Sequence, residues 1–349
     1  MNEFDFIRKI RNRAGERLAS SNLIRGIGDD AAVFKSPAGT NVVVTADLLV
    51  EDIDFRHDTT SPVQLGYKAL AVSLSDLAAM GARPRWAMLS LGIQEAVWNS
   101  DFCDGFYEGF FKLADRYGVR LIGGDVSRTP DKTVIDSIAF GESVDGGAVP
   151  RSGAQPGDQI YVTGVLGDAA AGLRLLERGA RPRSTNGDIY SAADDPGTKA
   201  HPTDRLLQRQ LTPEPRVGWG MLLGEQRLAT SMIDLSDGLS SDINHLCAES
   251  WVGAIIKASS LPIDPVVVEL CGHRALDPLM LALHGGEDFE LLFTVKPENI
   301  GKLPARVDGV GITHIGEIQG KSDGVMISEG WRTWNLEPGG WEHFKRSES

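Results

Sequence analysis

Apolar residues along this chain come in short bursts between glycine turns, and their spacing alternates between the periods of helix and strand. Residues 3–19 read as an amphipathic opening helix. "RGIGDDAAVF" then leads into the strand-like "NVVVTADLLV", with Val42, Val43 and Val44 in sequence. The next helix is sharply signalled: Ser61 caps it, Pro62 suits its first turn, and Gly81 with Pro84 closes it. Its stretch from Ala69 to Met80 is nearly all apolar, apart from a few small polar residues and Asp76. A second helix is expected from about Ser100 to Tyr117, stopped by Gly118. "VRLIGGDVS" reads as a buried strand ending in a glycine turn, and "TVIDSIAFGES" as another strand.

Proline and glycine concentrate in "PRSGAQPGD" around 150–158, which marks a domain junction. The pattern then restarts with strand "QIYVTG", the turn "GVLGDAAAGL" and a helix ending near Gly179. Residues 180–202 are polar and rich in Gly, Pro, Ser and Asp, the composition of a flexible surface insertion. Beyond them lie a helical "TDRLLQRQL", the strand "ATSMIDLSDG" leading into "LSSDINHLCAES", and strands near "GAIIKA", "EDFELLFTV" and "THIGEIQG". No repeat of 20–50 residues appears. These elements predict a two-domain α+β protein, with a mixed N-terminal unit over 1–150 and a C-terminal α+β, sandwich-like unit over 151–349.

A formal charge of -13 argues against a nucleic-acid partner, whose phosphates are held chiefly by clustered Lys and Arg. The three cysteines, Cys103, Cys247 and Cys271, are far apart and match no metal-ligand spacing; an odd count fits a reducing compartment, so the cytoplasm is expected. No signal-peptide core and no run of 18 apolar residues is visible, so no membrane association is expected.

The chemistry lies in aspartates placed where aspartate is costly. Asp76 sits in an almost wholly apolar helix, and a buried carboxylate without a partner costs several kcal/mol or turns neutral. Asp47, Asp125 and Asp234 each end an apolar strand, while Asp29, Asp30 and Asp237 occupy turns. Any one of them could simply form a turn or cap a helix. As a set with few nearby lysines, they point to a hard divalent cation, and Mg²⁺ suits scattered carboxylates shared with substrate phosphates. A carboxylate and a phosphate oxygen about 4 Å apart repel by roughly 1 kcal/mol in water and about 4 kcal/mol at an effective dielectric of 20. An acidic pocket therefore rejects bare nucleotide and receives polyphosphate only with its metals, which points to phosphoryl transfer. No GxxxxGK[ST] loop is present, and "GVLGDAAAGL" reads as a strand-to-helix turn capped by Asp168, its amides also able to meet phosphate.

Nine motifs in order, "GIGDDAAV", "TADLLVE", "YKALAVSLSDLAAMGARP", "LIGGDVSR", "RSGAQPGDQIYVTG", "LGDAAAGL", "IDLSDGLSSD", "GGEDFELLF" and "GWEHF", resemble the aminoimidazole-ribonucleotide-synthetase-like superfamily of ATP enzymes and, within it, the thiamine-monophosphate kinases. The resemblance covers almost the whole chain. It implies ATP and thiamine monophosphate as substrates, several Mg²⁺ ions and a homodimer paired through the N-terminal domain. Direct in-line transfer with no catalytic general base is expected, because the attacking phosphate oxygen is already ionised near neutral pH. By motif it implies metal ligation by Asp30, Thr45, Asp47, Asp76, Asp125, Asp234 and Asp237. Nucleotide contacts fall on Gly124, Asp125, Arg151 and Ser236, and substrate contacts on Asp54, Glu287 and Trp341. Asp52 and Asp54 stand where the family commonly carries Gly and His. Residue chemistry leaves choices open. Arg151 is a fork for phosphate oxygens or a surface arginine, Trp341 stacks on a ring or plugs the core, and Glu287 holds an aminopyrimidine or caps a turn. The histidines read as structural or surface residues. Two other functions compete: a sibling ATP enzyme that activates a carbonyl or amide oxygen, and a non-catalytic cation-binding module.

Overall fold

The computed structural model describes residues 7–9, 11–12, 22–36, 39–144, 146–182, 202–272 and 276–344. The helix expected over 3–19 falls largely outside them; its described residues, 7–9 and 11–12, are helical, and Arg11 pairs with Glu249 at 2.5 Å. Of the expected insertion at 180–202, residues 183–201 lie outside the described residues.

The first sheet holds β1 (Leu23–Arg25), β2 (Ala32–Lys35), β3 (Thr40–Val50), β4 (Arg83–Ile93), β5 (Arg120–Arg128) and β6 (Val134–Val144), in the order β1-β2-β3-β6-β4-β5. Helices α1 (Pro62–Ala79), α2 (Glu95–Trp98) and α3 (Phe102–Tyr117) fall within this half of the chain. The second half contributes β7 (Gln159–Thr163), α4 (Asp168–Glu177), α5 (Pro202–Leu211), α6 (Val217–Glu225), β8 (Ala229–Asp234), α7 (Leu239–Ser250) and β9 (Gly253–Lys257). It continues through α8 (Pro265–Gly272), α9 (Pro278–His284), β10 (Leu291–Val295), β11 (Arg306–Val307), β12 (Val310–Gln319), β13 (Val325–Glu329) and β14 (Arg332–Asn335). Its sheet runs β14-β13-β9-β12-β7-β10-β8, with β11 paired to β12.

Helix α1 begins as expected. Ser61 Oγ accepts from the Gln64 backbone, and Gln64 Oε1 accepts from the Ser61 backbone, so two of the free amides at the helix start are satisfied. The helix is apolar on nearly every face because it is covered on nearly every face: it packs against α3, β3, β6, α6 and β8. One core cluster therefore unites α1 residues such as Leu70, Leu74 and Leu77 with Trp219, Met232 and Phe293 from the second half.

Several expectations need correction. Asp47 and Asp125 do not end strands: they lie within β3 (Thr40–Val50) and β5 (Arg120–Arg128), because strand pairing continues past them to Val50 and Arg128. "VRLIGGDVS" is not a buried strand. As β5 it is the sheet's edge, with Ile122 58% and Val126 48% exposed, because within one chain it pairs only with β4. Strand β4, which links β5 to β6, went unread because apolar residues occupy both of its faces and Pro84 stands near its start. Pro84 is accommodated where the β4–β6 register shifts, between Pro84 and Trp86.

Candidate active site

Alternation along β3 turns Thr45 and Asp47 toward α1 and leaves Ala46 and Leu48 on the open face. Helix α1 answers with hydroxyls: Ser73 Oγ donates to Asp47 at 2.7 Å, and Ser75 Oγ donates to Asp234, at the end of β8, at 2.6 Å. Thr45 Oγ1 donates to Asp76. The loop ahead of β2 adds Asp30, whose Oδ1 receives Arg151 Nη2 at 2.5 Å, while the Arg151 backbone N–H donates to Asp29 at 2.7 Å. Carboxylate oxygens of Asp30, Asp76 and Asp234 lie within 4.8 Å of one another.

Burial, reinforced by mutual repulsion, shifts these acids upward together. Burial raises Asp47 to about 6, against the Ser73 hydrogen bond and with help from Asp136 and Asp30. Burial, then Asp30, raises Asp234 to about 8, and burial with Asp47 and Asp234 lifts Asp76 well above the usual carboxylate range. Arg151 goes the opposite way to its own burial: although desolvation lowers it, Asp30 and its neighbours raise it above the ordinary arginine value. One guanidinium cannot neutralise this many acids. Asp30 Oδ2 is buried without a hydrogen-bond partner, and the oxygens gathered from Asp30, Asp76 and Asp234 are the donor type a hard cation takes.

Beside this cluster, the loop after β8 carries Ser236 and Asp237. Ser236 O accepts from the Glu287 backbone at 2.8 Å, and Asp237 O accepts from the Trp341 backbone at 3.1 Å. The loop is thus held between "GGED" and the terminal "GGW". Glu287 adopts a left-handed φ of 64°, sparse territory for a non-glycine residue. Its carboxylate meets Lys68 Nζ at 2.6 Å and accepts from Gln210 Nε2. Asp54 borders the same spot. Burial raises it, its Oδ2 accepts from the Val50 backbone at 2.8 Å, and His343, Glu287 and Lys68 are its neighbours. The Trp341 ring, 52% exposed, stands edge-on to His343 with centroids 5.8 Å apart.

Gly124 and Asp125 lie apart from both groups. On β5 they pair with Leu89 and Ser90, and the Asp125 row continues through Asp136 to Leu48 on the open face of the sheet. A Cβ on Gly124 would come within 1.9 Å of Leu89 O, so only glycine fits there. Asp168 does not cap α4. It is the first helical residue, after Gly167, and its buried Oδ1 has no hydrogen-bond partner. The amides of Gly167 and Ala169 are taken instead by Asp288, raised by burial to about 7.

The family model described as AIR synthase related protein, N-terminal domain, matches residues 28–143. A thiamine-monophosphate kinase of Buchnera aphidicola is 37% identical over 98% of this chain and 98% of its own length, and one of Bacillus subtilis is 36% identical over 99% and 100%. The chain belongs to the thiamine-monophosphate kinase family. Among solved structures of that family, AaThiL complexed with AMPPCP and TMP superposes with a TM-score of 0.81 at 30% identity, covering 98% of this chain and 97% of that one. The Stenotrophomonas maltophilia kinase gives 0.72 at 40% identity, covering 93% and 96%. The hydrogenase maturation protein HypE in complex with ATP, at 20% identity and a TM-score of 0.67, shares the fold.

Several residues in this kinase-family site escaped the sequence reading. Ser73 and Ser75 were visible as hydroxyls in an apolar helix, and Lys68 as that helix's single cation. Asp242 is buried beside Asp237 and Asp234 and accepts from Gly238 N at 3.0 Å. His343, one of the histidines read as structural or surface residues, stands near Asp54. Asp52 has a left-handed φ of 68°, a conformation glycine adopts more readily, and pairs with Lys132.

Proposed function

We propose that this chain transfers the γ-phosphoryl group of ATP to thiamine monophosphate, giving thiamine diphosphate. The observation that carries this reading is the meeting of Asp30, Asp76 and Asp234 within 4.8 Å beside Arg151, in a chain of this kinase family. Asp30, Thr45, Asp47, Asp76, Asp125, Asp234 and Asp237 would hold Mg²⁺, which would supply positive charge against the phosphates. Gly124, Asp125, Arg151 and Ser236 are the proposed nucleotide contacts, and Asp54, Glu287 and Trp341 the proposed substrate contacts. The attacking phosphate oxygen is ionised near neutral pH, so no side chain needs to remove a proton, and direct in-line displacement suffices.

We propose the domain junction at 150/151; the end of the first sheet's last strand at Val144 and the start of the second sheet at Gln159 support it. A homodimer is supported by the uncovered face of the first sheet, where rows Val44–Phe140–Trp86 and Ala46–Ile138–Met88 lie beside edge strand β5. Free cysteines at 103, 247 and 271 support a cytoplasmic setting. Among the described residues, no helix is long and apolar enough to cross a membrane.

The test is formation of thiamine diphosphate from ATP and thiamine monophosphate, with and without Mg²⁺. Metal-dependent product supports the kinase. ATP cleavage that needs a different carbonyl or amide acceptor would support a sibling activity, and no turnover would support a binding module.

A further inference from the structure

Lys68 is 3% exposed, on a helix otherwise packed with apolar side chains. A buried ammonium is costly unless paired, and its partner is Glu287, 219 positions further along the chain, at 2.6 Å. Gln210 Nε2, from α5, donates to the other oxygen of the same carboxylate. Glu287 therefore has both oxygens held by donors from two different helices, while its own backbone is fixed in a left-handed conformation by the bond to Ser236 O. Its side chain remains 30% exposed beside Asp54 and His343, so its free lone pairs point in fixed directions at an accessible site.

We infer that Lys68 is a positioning residue for substrate recognition: it aims Glu287 at the exocyclic amino group of the pyrimidine ring. This rests on the kinase reading above. Lys68 is too buried to meet a ligand itself. It also sits on the helix that carries Asp76, eight residues and about 12 Å further along the axis. One rigid element thereby sets the spacing between the metal-binding acids and the carboxylate that reads the ring. Specificity follows from the acceptor-only character of Glu287: an amino group donates to it, whereas a ring carbonyl in the same place confronts it oxygen to oxygen.

The test compares thiamine monophosphate with its analogue bearing oxygen in place of the pyrimidine amino group, using wild type, Lys68→Met, Lys68→Arg and Glu287→Gln. Lys68→Met is expected to raise KM for thiamine monophosphate by about tenfold or more, to leave KM for ATP within about twofold, and to erase the preference for the amino substrate. Lys68→Arg should restore part of that preference, and Lys68→Met combined with Glu287→Gln should add little to either alone. If Lys68→Met fails to fold, Gln210→Leu, which frees the other oxygen, carries the same test. Unchanged discrimination in a folded, less stable Lys68→Met or in Gln210→Leu overturns the inference. Wild type that does not phosphorylate thiamine monophosphate at all overturns the kinase reading instead.

Discussion

Ser75 donates a 2.6 Å hydrogen bond to Asp234 across 159 positions of chain, tying the buried helix of the first half to the strand end of the second. Both residues are buried, Ser75 at 0% and Asp234 at 2% exposure, so no water replaces the bond when one partner is removed. Ser75→Ala should therefore cost about 1–3 kcal/mol of stability, the penalty of a buried acceptor left short of a donor. Urea denaturation of metal-free protein measures it, and adding Mg²⁺ should recover part of the loss.

Asp47→Asn and Asp237→Asn should each abolish turnover while leaving the fold intact. Asparagine keeps the shape but removes the charge that draws a divalent cation. Circular dichroism checks the fold and product assay the activity. Full activity in both would refute the metal assignment.

A different carboxylate is structural. Glu290 is fully buried and accepts from Arg216, Arg209 and Thr163 Oγ1. Burial pushes Glu290 up, yet Arg216 and Arg209 outweigh it and hold the group below the usual glutamate range. Glu290→Gln leaves the buried Arg216 and the partly buried Arg209 short of a counter-charge and should cost about 3–5 kcal/mol. A fall in the urea midpoint with an unchanged slope would measure it.

His245 supplies a pH dependence. Burial, and then Arg151, depresses its imidazole from 6.5 to about 4. A depressed histidine contributes its full stability above the unfolded value of 6.5 and loses it as pH falls toward 4, because the unfolded chain takes up the proton first. Wild type should thus lose up to about 3 kcal/mol relative to His245→Asn between those limits. Parallel denaturation curves at pH 7 and pH 4.5 test the difference; equal losses in both proteins would count against it.

Close approach of α1 and α3 gives a packing test. A Cβ on Gly66 would lie 1.8 Å from Phe106 O, a backbone atom that cannot swing aside. Gly66→Ala should cost about 3 kcal/mol or more through overpacking. Thermal melting measures this directly.

The helix at Pro62–Ala79 was legible because its start and stop are local: Ser61, Pro62, Gln64 and Gly81 act within a few residues of one another. Aspartates at odds with apolar surroundings were legible for the same reason, since Asp76 in an apolar helix violates a rule visible in a short window. What could not be read depends on pairing between distant segments. Nothing near Lys68 announces Glu287, and nothing near Asp288 announces the helix start at Gly167. Strand β5 looked buried because an apolar run carries no record of being last in its sheet. Asp168 looked like a cap because local chemistry allowed it, but Asp288 from across the chain took the amides.

Asp30, Asp76 and Asp234 are proposed to form a cation site for nucleotide phosphates. Anomalous diffraction from crystals grown with Mn²⁺ and a non-hydrolysable ATP analogue tests it most directly. A Mn²⁺ peak bonded to carboxylate oxygens of at least two of these residues and to a phosphate oxygen is expected. Metal and phosphates bound elsewhere, with the three carboxylates bare, would contradict it.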